Sequence, residues 1–471
     1  MVFSSLIFLY CFLPISVALY LLSPGIRVKN LVLTVLSVIF YAWGEPLCVL
    51  LLLVQALLGY VGGLCAENQK NTAGRILTFL CEFLILLMLL VFKYTDFLIS
   101  SLNQTLKLNI PYTGIALPIG ISFFTFQTLS YVIDVKHGNS DPQHFFPDLL
   151  LYISLFPQLI AGPILRYDDV SRQLKERRST PEGIFNGLFR FSLGLGKKVL
   201  LANYAGNIAA SMLDGGASSL CSGWLGAIMY TFQIYFDFSG YSDMAIGLGR
   251  IFGFLYPENF NLPYISKSIT EFWRRWHISL SSFFRDYVYI PLGGNRKHRM
   301  WNLFVVWLLT GLWHGAAWNF VIWGMYYFLL LCVEKGIGEK HLERIPTVIR
   351  HTITLFLIVI GWMIFYYTDV KELWGTLRIC FGAGRLTSPG FDIELLNNLP
   401  LLVICAIGSG SIPGLIGRRF TSLCIEKPGK LRSIGQFSYA LVRFMIIWLL
   451  FAACTASLVG ASYNPFLYFR F

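Results

Sequence analysis

Two histidines, His277 and His314, are the side chains of this chain best placed to do chemistry, and 37 positions separate them. A neutral imidazole with a pKa near 6.5 takes a proton readily at neutral pH, and such general-base help is worth about 10² to 10⁴ in rate. His314 sits near the middle of Trp301–Val333, a run of 33 residues with no Asp, Glu, Lys or Arg. A bilayer core needs roughly 20 apolar residues per spanning helix. The run is therefore too long for one simple span, and Gly311, Gly315 and Gly324 mark where it can break. An ionisable group at that depth faces a cavity or a partner rather than lipid. Two readings of His314 stand: a reactive base, or a neutral imidazole that ties two helices together by a hydrogen bond. Acyl transfer to a hydroxyl needs a base, a site that excludes water, and access for donor and acceptor. A histidine in a glycine-broken membrane chamber meets the first two.

Other chemistries lack their residues. There is no GxSxG elbow, no Cys beside a His, no HExxH, no P-loop and no dinucleotide fingerprint. The ten cysteines are scattered through mostly hydrophobic runs without a CxxC pair, as small packing residues would be. No metal site and no tightly bound cofactor is expected. Asp237 and Asp243 stand in the apolar stretch FQIYFDFSGYSDMAIGLG. Buried acids need partners, so both are read as members of a structural network, as is Asp286. Asp243 can cap a following helix if Ser239, Gly240 and Ser242 form a break.

The elements that must position these groups are membrane helices. The chain has 471 residues, 56% hydrophobic and 13% charged, against about 25% charged in ordinary soluble domains. Its N-terminus lacks the basic region and cleavage site of a signal peptide, so Val2–Leu22 reads as a retained first span. Apolar runs near 3–22, 30–43, 46–64, 76–99, 115–134, 148–165, 184–213, 221–236, 240–256, 301–333, 351–368, 398–416 and 437–460 predict an all-α polytopic membrane protein. They amount to roughly 11 to 13 membrane-associated helices, some of which dip in without crossing, in a single integral-membrane domain over 1–471. Glycine and proline interrupt them around Pro118–Gly120, Pro157–Pro163 and Gly194–Gly196. No internal repeat is present.

The net charge of +12 sits in short loops (Arg166–Arg178, and 264–300), which points to cytoplasmic loops against anionic lipid and away from nucleic acid. Within 264–300 the apolar residues 272, 273, 276, 280, 283, 284 and 287 fall at helical spacing, with Arg274, Arg275, Arg285 and Asp286 opposite. This predicts an amphipathic helix at the cytoplasmic interface. His277 lies at the border of its apolar face, one turn from Trp273 and Leu280.

Four stretches in order, PIGISFFTFQTLSYVIDV, FDFSGYSDMAIGLGRIFGF, FWRRWHISLSSFFRDYVYIPLGGNR and WHGAAWNFVIWG, closely resemble the membrane-bound O-acyltransferase family. Within it they are similar to the bacterial branch that acetylates alginate, cellulose or peptidoglycan and, more distantly, D-alanylates teichoic acid. The similarity runs from about residue 1 to the NPFLYFRF ending. It implies a ring of membrane helices around a central tunnel, in a multi-pass protein of the bacterial cytoplasmic membrane. It also implies catalytic roles for His314, in the WHG motif, and His277, in RWHISLS. By the same resemblance the donor is acetyl-CoA or another acyl thioester on the cytoplasmic side. The acceptor is a hydroxyl of an extracellular polysaccharide or cell-wall polymer, reached through an extracytoplasmic SGNH-hydrolase-like partner.

On that basis His314 is expected to deprotonate the acceptor hydroxyl. His277 is expected either to orient the donor or to polarise its carbonyl. Trp313, Trp276, Asn319, Gln127, Arg274 and Arg275 are the candidate substrate-binding residues, the arginines through the donor's phosphates or simply as topology signals. A transporter or flippase, and a non-catalytic scaffold subunit, remain the alternative readings of the same residues.

Overall fold

A computed structural model describes residues 1–160, 162–425, 430–460 and Leu467; the NPFLYFRF ending, Leu467 apart, lies outside the described residues. Those residues are mostly helical, with no strand among them. Among the described residues seven helices are long and apolar enough to cross a membrane, besides the shorter apolar segment Phe8–Leu22, so the chain is a polytopic membrane protein. Their outward faces carry large exposed apolar side chains such as Leu50, Phe79, Leu396 and Trp448. That distribution suits a chain whose solvent is hydrocarbon and whose backbone groups must all be satisfied internally.

The described residues group into two compact units. Among the described residues, the first comprises 1–191 and 244–257. It holds α1 (Phe8–Leu22), α2 (Gly25–Gly44), α3 (Cys48–Glu67), α4 (Thr72–Leu106), α5 (Ile121–Lys136), α6 (Phe146–Ser154) and α7 (Tyr167–Glu176). Helix α5 is buried almost throughout and starts at Gly120, whose φ of 79° suits glycine. The expected interruption at Pro118–Gly120 is non-helical backbone, whereas Pro157 lies inside a short helix, Phe156–Leu159, and helical backbone there gives way only after Leu159, Ala161 lying outside the described residues.

The second unit comprises 192–243 and 258–467. Helices α8 (Pro181–Gly196) and α10 (Leu220–Ile251) belong in part to each unit, and α9 is Asn203–Leu213. Two expectations are corrected here. Spans 221–236 and 240–256 form one unbroken helix through Ser239–Ser242, so Asp243 caps nothing. Nor does Gly194–Gly196 interrupt the backbone, because α8 runs straight into a π-helical turn, Lys197–Ala202. The glycines serve close approach instead: a Cβ on Gly240 would meet the Gly194 carbonyl at 2.8 Å. That approach brings Lys197 to Asp243 and Lys198 to Asp237, each at 2.6 Å.

Short helical turns apart, the helices that follow are α11 (Ile269–Arg275), α12 (Ile278–Phe284), α13 (Arg299–His314), α14 (Trp318–Ile337), α15 (Thr347–Tyr366), α16 (Val370–Arg378), α17 (Phe391–Ser409), α18 (Ile412–Ile425) and α19 (Lys430–Val459). The run 398–416 is therefore divided between α17 and α18. The overlong run 301–333 does break, at Gly315. Gly311 and Gly324 do not break it; they are where α13 and α14 cross, each Cβ position blocked by the other helix's backbone at Phe320 and Trp307. Small residues at such a crossing let backbones touch.

The two lysine–aspartate pairs differ in burial. Lys198 and Asp237 are 4% and 2% exposed as side chains, Lys197 and Asp243 30% and 10%. Removing one partner of a buried pair costs about 3–5 kcal/mol because the other charge is stranded. Lys198→Met is therefore expected to lower the melting temperature of the detergent-purified protein far more than Lys197→Met. Equal shifts would contradict this ordering.

Candidate active site

The site is built from a loop, two short helices and a helical hairpin of the second unit. The stretch EFWRRWHISLSSFF was expected to be one amphipathic helix, but it is two. Helix α11 ends at Arg275, Trp276 is extended, and His277 adopts φ 45°, ψ 56° before α12 begins. A non-glycine residue in that left-handed region costs of order 1–3 kcal/mol and persists only where its surroundings enforce it. Nor is His277 at a surface border: it is 1% exposed.

What enforces the turn is Asn259, in the loop before α11, a residue the sequence reading passed over. Its backbone carbonyl accepts from Ile278 N at 3.0 Å. Its Oδ1 accepts from Ser279 N at 3.2 Å and from Ser279 Oγ at 2.9 Å, and lies 3.1 Å from His277 Nδ1. Asn261 N adds a bond to the Arg275 carbonyl at 2.9 Å. Because the Ser279 backbone N–H can only donate, the amide must present oxygen to this turn, and His277 must then carry its proton on Nδ1. Nε2 is left as a lone pair, buried and with no hydrogen-bond partner in the structure. Burial, with no acid to offset it, pushes the His277 imidazolium pKa down to about 3. His277 is a neutral acceptor at physiological pH.

The hairpin supplies His314. Helix α13 has 16 residues, about 24 Å at 1.5 Å per residue, too short to cross a core of about 30 Å. His314 lies in its last turn. The ring is 4% exposed and packs edge-on against Trp313, Trp323 and Phe365, with centroids at 4.9, 4.9 and 5.3 Å. Trp313 also meets His277 at 5.7 Å. The two histidines thus share one indole.

The other candidates fall into place around this pair or away from it. Asn319, fully buried in the first turn of α14, donates Nδ2 to the Phe365 carbonyl at 3.3 Å, and its Oδ1 has no partner in the structure. Trp276 is caged by Phe260, Phe272 and Trp362 at 5.0, 5.6 and 4.7 Å, so it is wall material. Arg275 reaches Glu271 at 2.9 Å and donates to the Asn261 carbonyl at 3.1 Å, bracing the Asn259 loop, whereas Arg274 is exposed. Asp286 pairs with its neighbour Arg285 at 2.6 Å. Asp237 lies beside Phe238, whose ring meets His277 edge-on at 4.6 Å, so the Lys198–Asp237 pair anchors that part of the wall. Gln127 belongs to the first unit, buried on α5 with Oε1 unpartnered. Two positions give no sequence signal of their role: Asn259, and Glu334, which accepts from the Thr270 N–H at 2.9 Å where α11 begins.

Comparison with known proteins follows the same residues. The model of the membrane-bound O-acyltransferase family (MBOAT) matches residues 141–373, a span that includes both histidines. The probable alginate O-acetylase AlgI of Pseudomonas aeruginosa is 37% identical over the whole of both chains. The peptidoglycan O-acetyltransferase of Helicobacter pylori is 31% identical over all of this chain and 98% of its own. The teichoic acid D-alanyltransferase of Bacillus subtilis is 30% identical over 52% of this chain and 68% of its own.

With the tautomer set by Asn259, histidine ¹⁵N spectra should show His277 as a single neutral species, protonated on Nδ1, throughout pH 5–8. Asn259→Leu should give a mixture of tautomers. A titration midpoint near 6.5 in the parent protein would refute the assignment.

Proposed function

The chain belongs to the membrane-bound O-acyltransferase family, and from that premise we propose that it transfers an acetyl group from a cytoplasmic thioester to hydroxyls of an extracytoplasmic polysaccharide or cell-wall polymer. The chain is an acyltransferase. The observation that carries the finer reading is the pair of buried histidines on Trp313, one of them locked as a hydrogen-bond acceptor.

The lock divides the labour. A group with a pKa of about 3 is a weak base near pH 7, since a general base works best with a pKa close to the operating pH. Nor can a lone pair on Nε2 donate to a carbonyl, so of the two expected roles this tautomer favours orienting the donor over polarising the thioester. It can accept a hydrogen bond from an N–H or O–H of the bound substrate, and that is an orienting role. His314 is left as the base. It takes the proton of the acceptor hydroxyl as that oxygen attacks the thioester carbon. The carbon–sulfur bond then breaks, and the thiolate leaves with a proton returned from the imidazolium. The aromatic walls around both rings keep water from competing for the acyl group.

Arg274, exposed at the end of α11, is the cation best placed to meet the donor's phosphates, with acetyl-CoA the donor that fits the acetylase relatives. Arg275 is committed to Glu271. Asn319 and Gln127, each with an unpartnered buried carbonyl oxygen, are proposed to offer hydrogen bonds to substrate. An SGNH-hydrolase-like partner would complete transfer to the polymer, and the cytoplasmic membrane of a bacterium is the compartment where such a donor and acceptor meet.

Purified protein in liposomes, supplied with labelled acetyl-CoA and an acceptor preparation, tests the assignment. His314→Ala is expected to fall at least a thousandfold in acetyl transfer while still inserting in the membrane. Transfer at the parent rate would instead favour a scaffold role, and passage of intact labelled donor would favour a transporter. Asn259→Asp puts a carboxylate beside Nδ1 and so raises the pKa of His277. Its activity should fall on the acid side at a higher pH than the parent's, an effect that a purely structural Asn259 would not produce.

A further inference from the structure

Away from the histidines, in the first unit, a cavity of about 790 Å³ opens beside the start of α2. Its walls come from the first turns of α2, the start of α6 and the end of α7. Helix α2 is one of the seven candidate spans and the cavity lies at its end, the level at which lipid headgroups lie. The volume falls within the range of about 300–1,000 Å³ usual for ligand sites.

Two kinds of polar group stand out in its lining, besides Thr34 and Gln143. Arg27 and Lys175 are exposed and have no ion-pair partner among the described residues. Opposite in character are two acceptors on Asn30 and Asp148. Asn30 is 5% exposed and spends both amide hydrogens, on Asp148 Oδ1 at 2.8 Å and on the Leu174 carbonyl at 3.0 Å. Its Oδ1 lies buried with no partner. A buried carbonyl without a donor costs about 1–3 kcal/mol, which a ligand N–H would recover. Asp148 stands beside it with a carboxylate that accepts from Asn30. Apolar side chains, among them Ile26, Leu31 and Phe145, complete the lining.

We propose that this cavity is a binding site for a phospholipid with a primary-amine headgroup. The phosphate pairs with Arg27 and Lys175, the ammonium donates to Asn30 Oδ1 and Asp148, and the acyl chains follow Ile26, Leu31 and Phe145 toward the bilayer. A purely anionic headgroup would use the cations and leave both acceptors facing its negative charge. A trimethylated amine would have no N–H for Asn30. The site thus selects both ends of a zwitterion.

The test is native mass spectrometry of the full chain released from detergent after titration with short-chain phosphatidylethanolamine, phosphatidylglycerol or phosphatidylcholine, with free phosphoethanolamine as the soluble competitor. Phosphatidylethanolamine should be retained at least fivefold better than the other two lipids. Arg27→Gln with Lys175→Gln, surface changes that keep chain length, should lose that retention. Asp148→Asn, which can still accept from Asn30, should bring phosphatidylethanolamine down to the level of phosphatidylcholine. Equal retention of the three lipids by the parent protein, or undiminished phosphatidylethanolamine in the double variant, would overturn the site. Displacement of the lipid by an equal concentration of phosphoethanolamine would overturn the lipid as its occupant.

Discussion

One amide oxygen organises the candidate active site. Asn259 Oδ1 gathers the backbone N–H and hydroxyl of Ser279 and the Nδ1–H of His277. The backbone carbonyl of the same residue holds Ile278. Those bonds keep His277 in a left-handed conformation that an ordinary side chain avoids, and they end α11 and start α12 on either side of it. Because these groups are buried, losing this acceptor would strand three donors at once. The turn, the tautomer and the aim of Nε2 are one constraint seen from three sides.

Around that constraint the walls are aromatic. Trp273 packs on Trp307 and Tyr327 at 4.8 Å each, Trp276 on Trp362 at 4.7 Å, and Trp313 lies against both histidines. Aromatic pairs of this kind add about 0.5–1.5 kcal/mol per pair beyond burial, and they fix ring orientations that aliphatic packing would leave looser. The glycine contacts at Gly311, Gly324 and Gly240 serve the same end, since they bring helix backbones close enough for the rings and the Lys198–Asp237 pair to meet. A rigid, dry wall raises the worth of every polar group it encloses. It also makes an unpaired one expensive, so the unpartnered His277 Nε2 is notable.

The helical hairpin shows how a sequence pattern can be right about place and incomplete about cause. The length of Trp301–Val333 required a break, and the break falls at Gly315, one residue beyond His314. Gly311 and Gly324 looked equivalent in the sequence, yet they are the points where the two helices cross. Gly240 and Gly194 tell the same story in α10 and α8. A glycine in an apolar run signals either bent backbone or close backbone, and only the neighbouring helix distinguishes them. The amphipathic pattern of residues 272–287 likewise continues across a break in the helix, because apolar spacing reports which side chains are buried and says nothing of a break between them.

The amino-acid sequence by itself determined the membrane class, the helical content, the family through its motif stretches, and the two histidines as the groups with chemistry to offer. These follow from composition and from local runs of residues, where each position carries its own signal. Tertiary structure alone decided that both histidines rest on Trp313, that Lys197 and Lys198 answer Asp243 and Asp237 from another helix, and that His277 is an acceptor rather than a donor. The reason is that a tautomer, an ion pair or a shared ring depends on which distant residue arrives at hydrogen-bonding distance. Asn259 lies 18 positions before His277, in a loop without any periodic pattern, and only folding brings its oxygen to the imidazole.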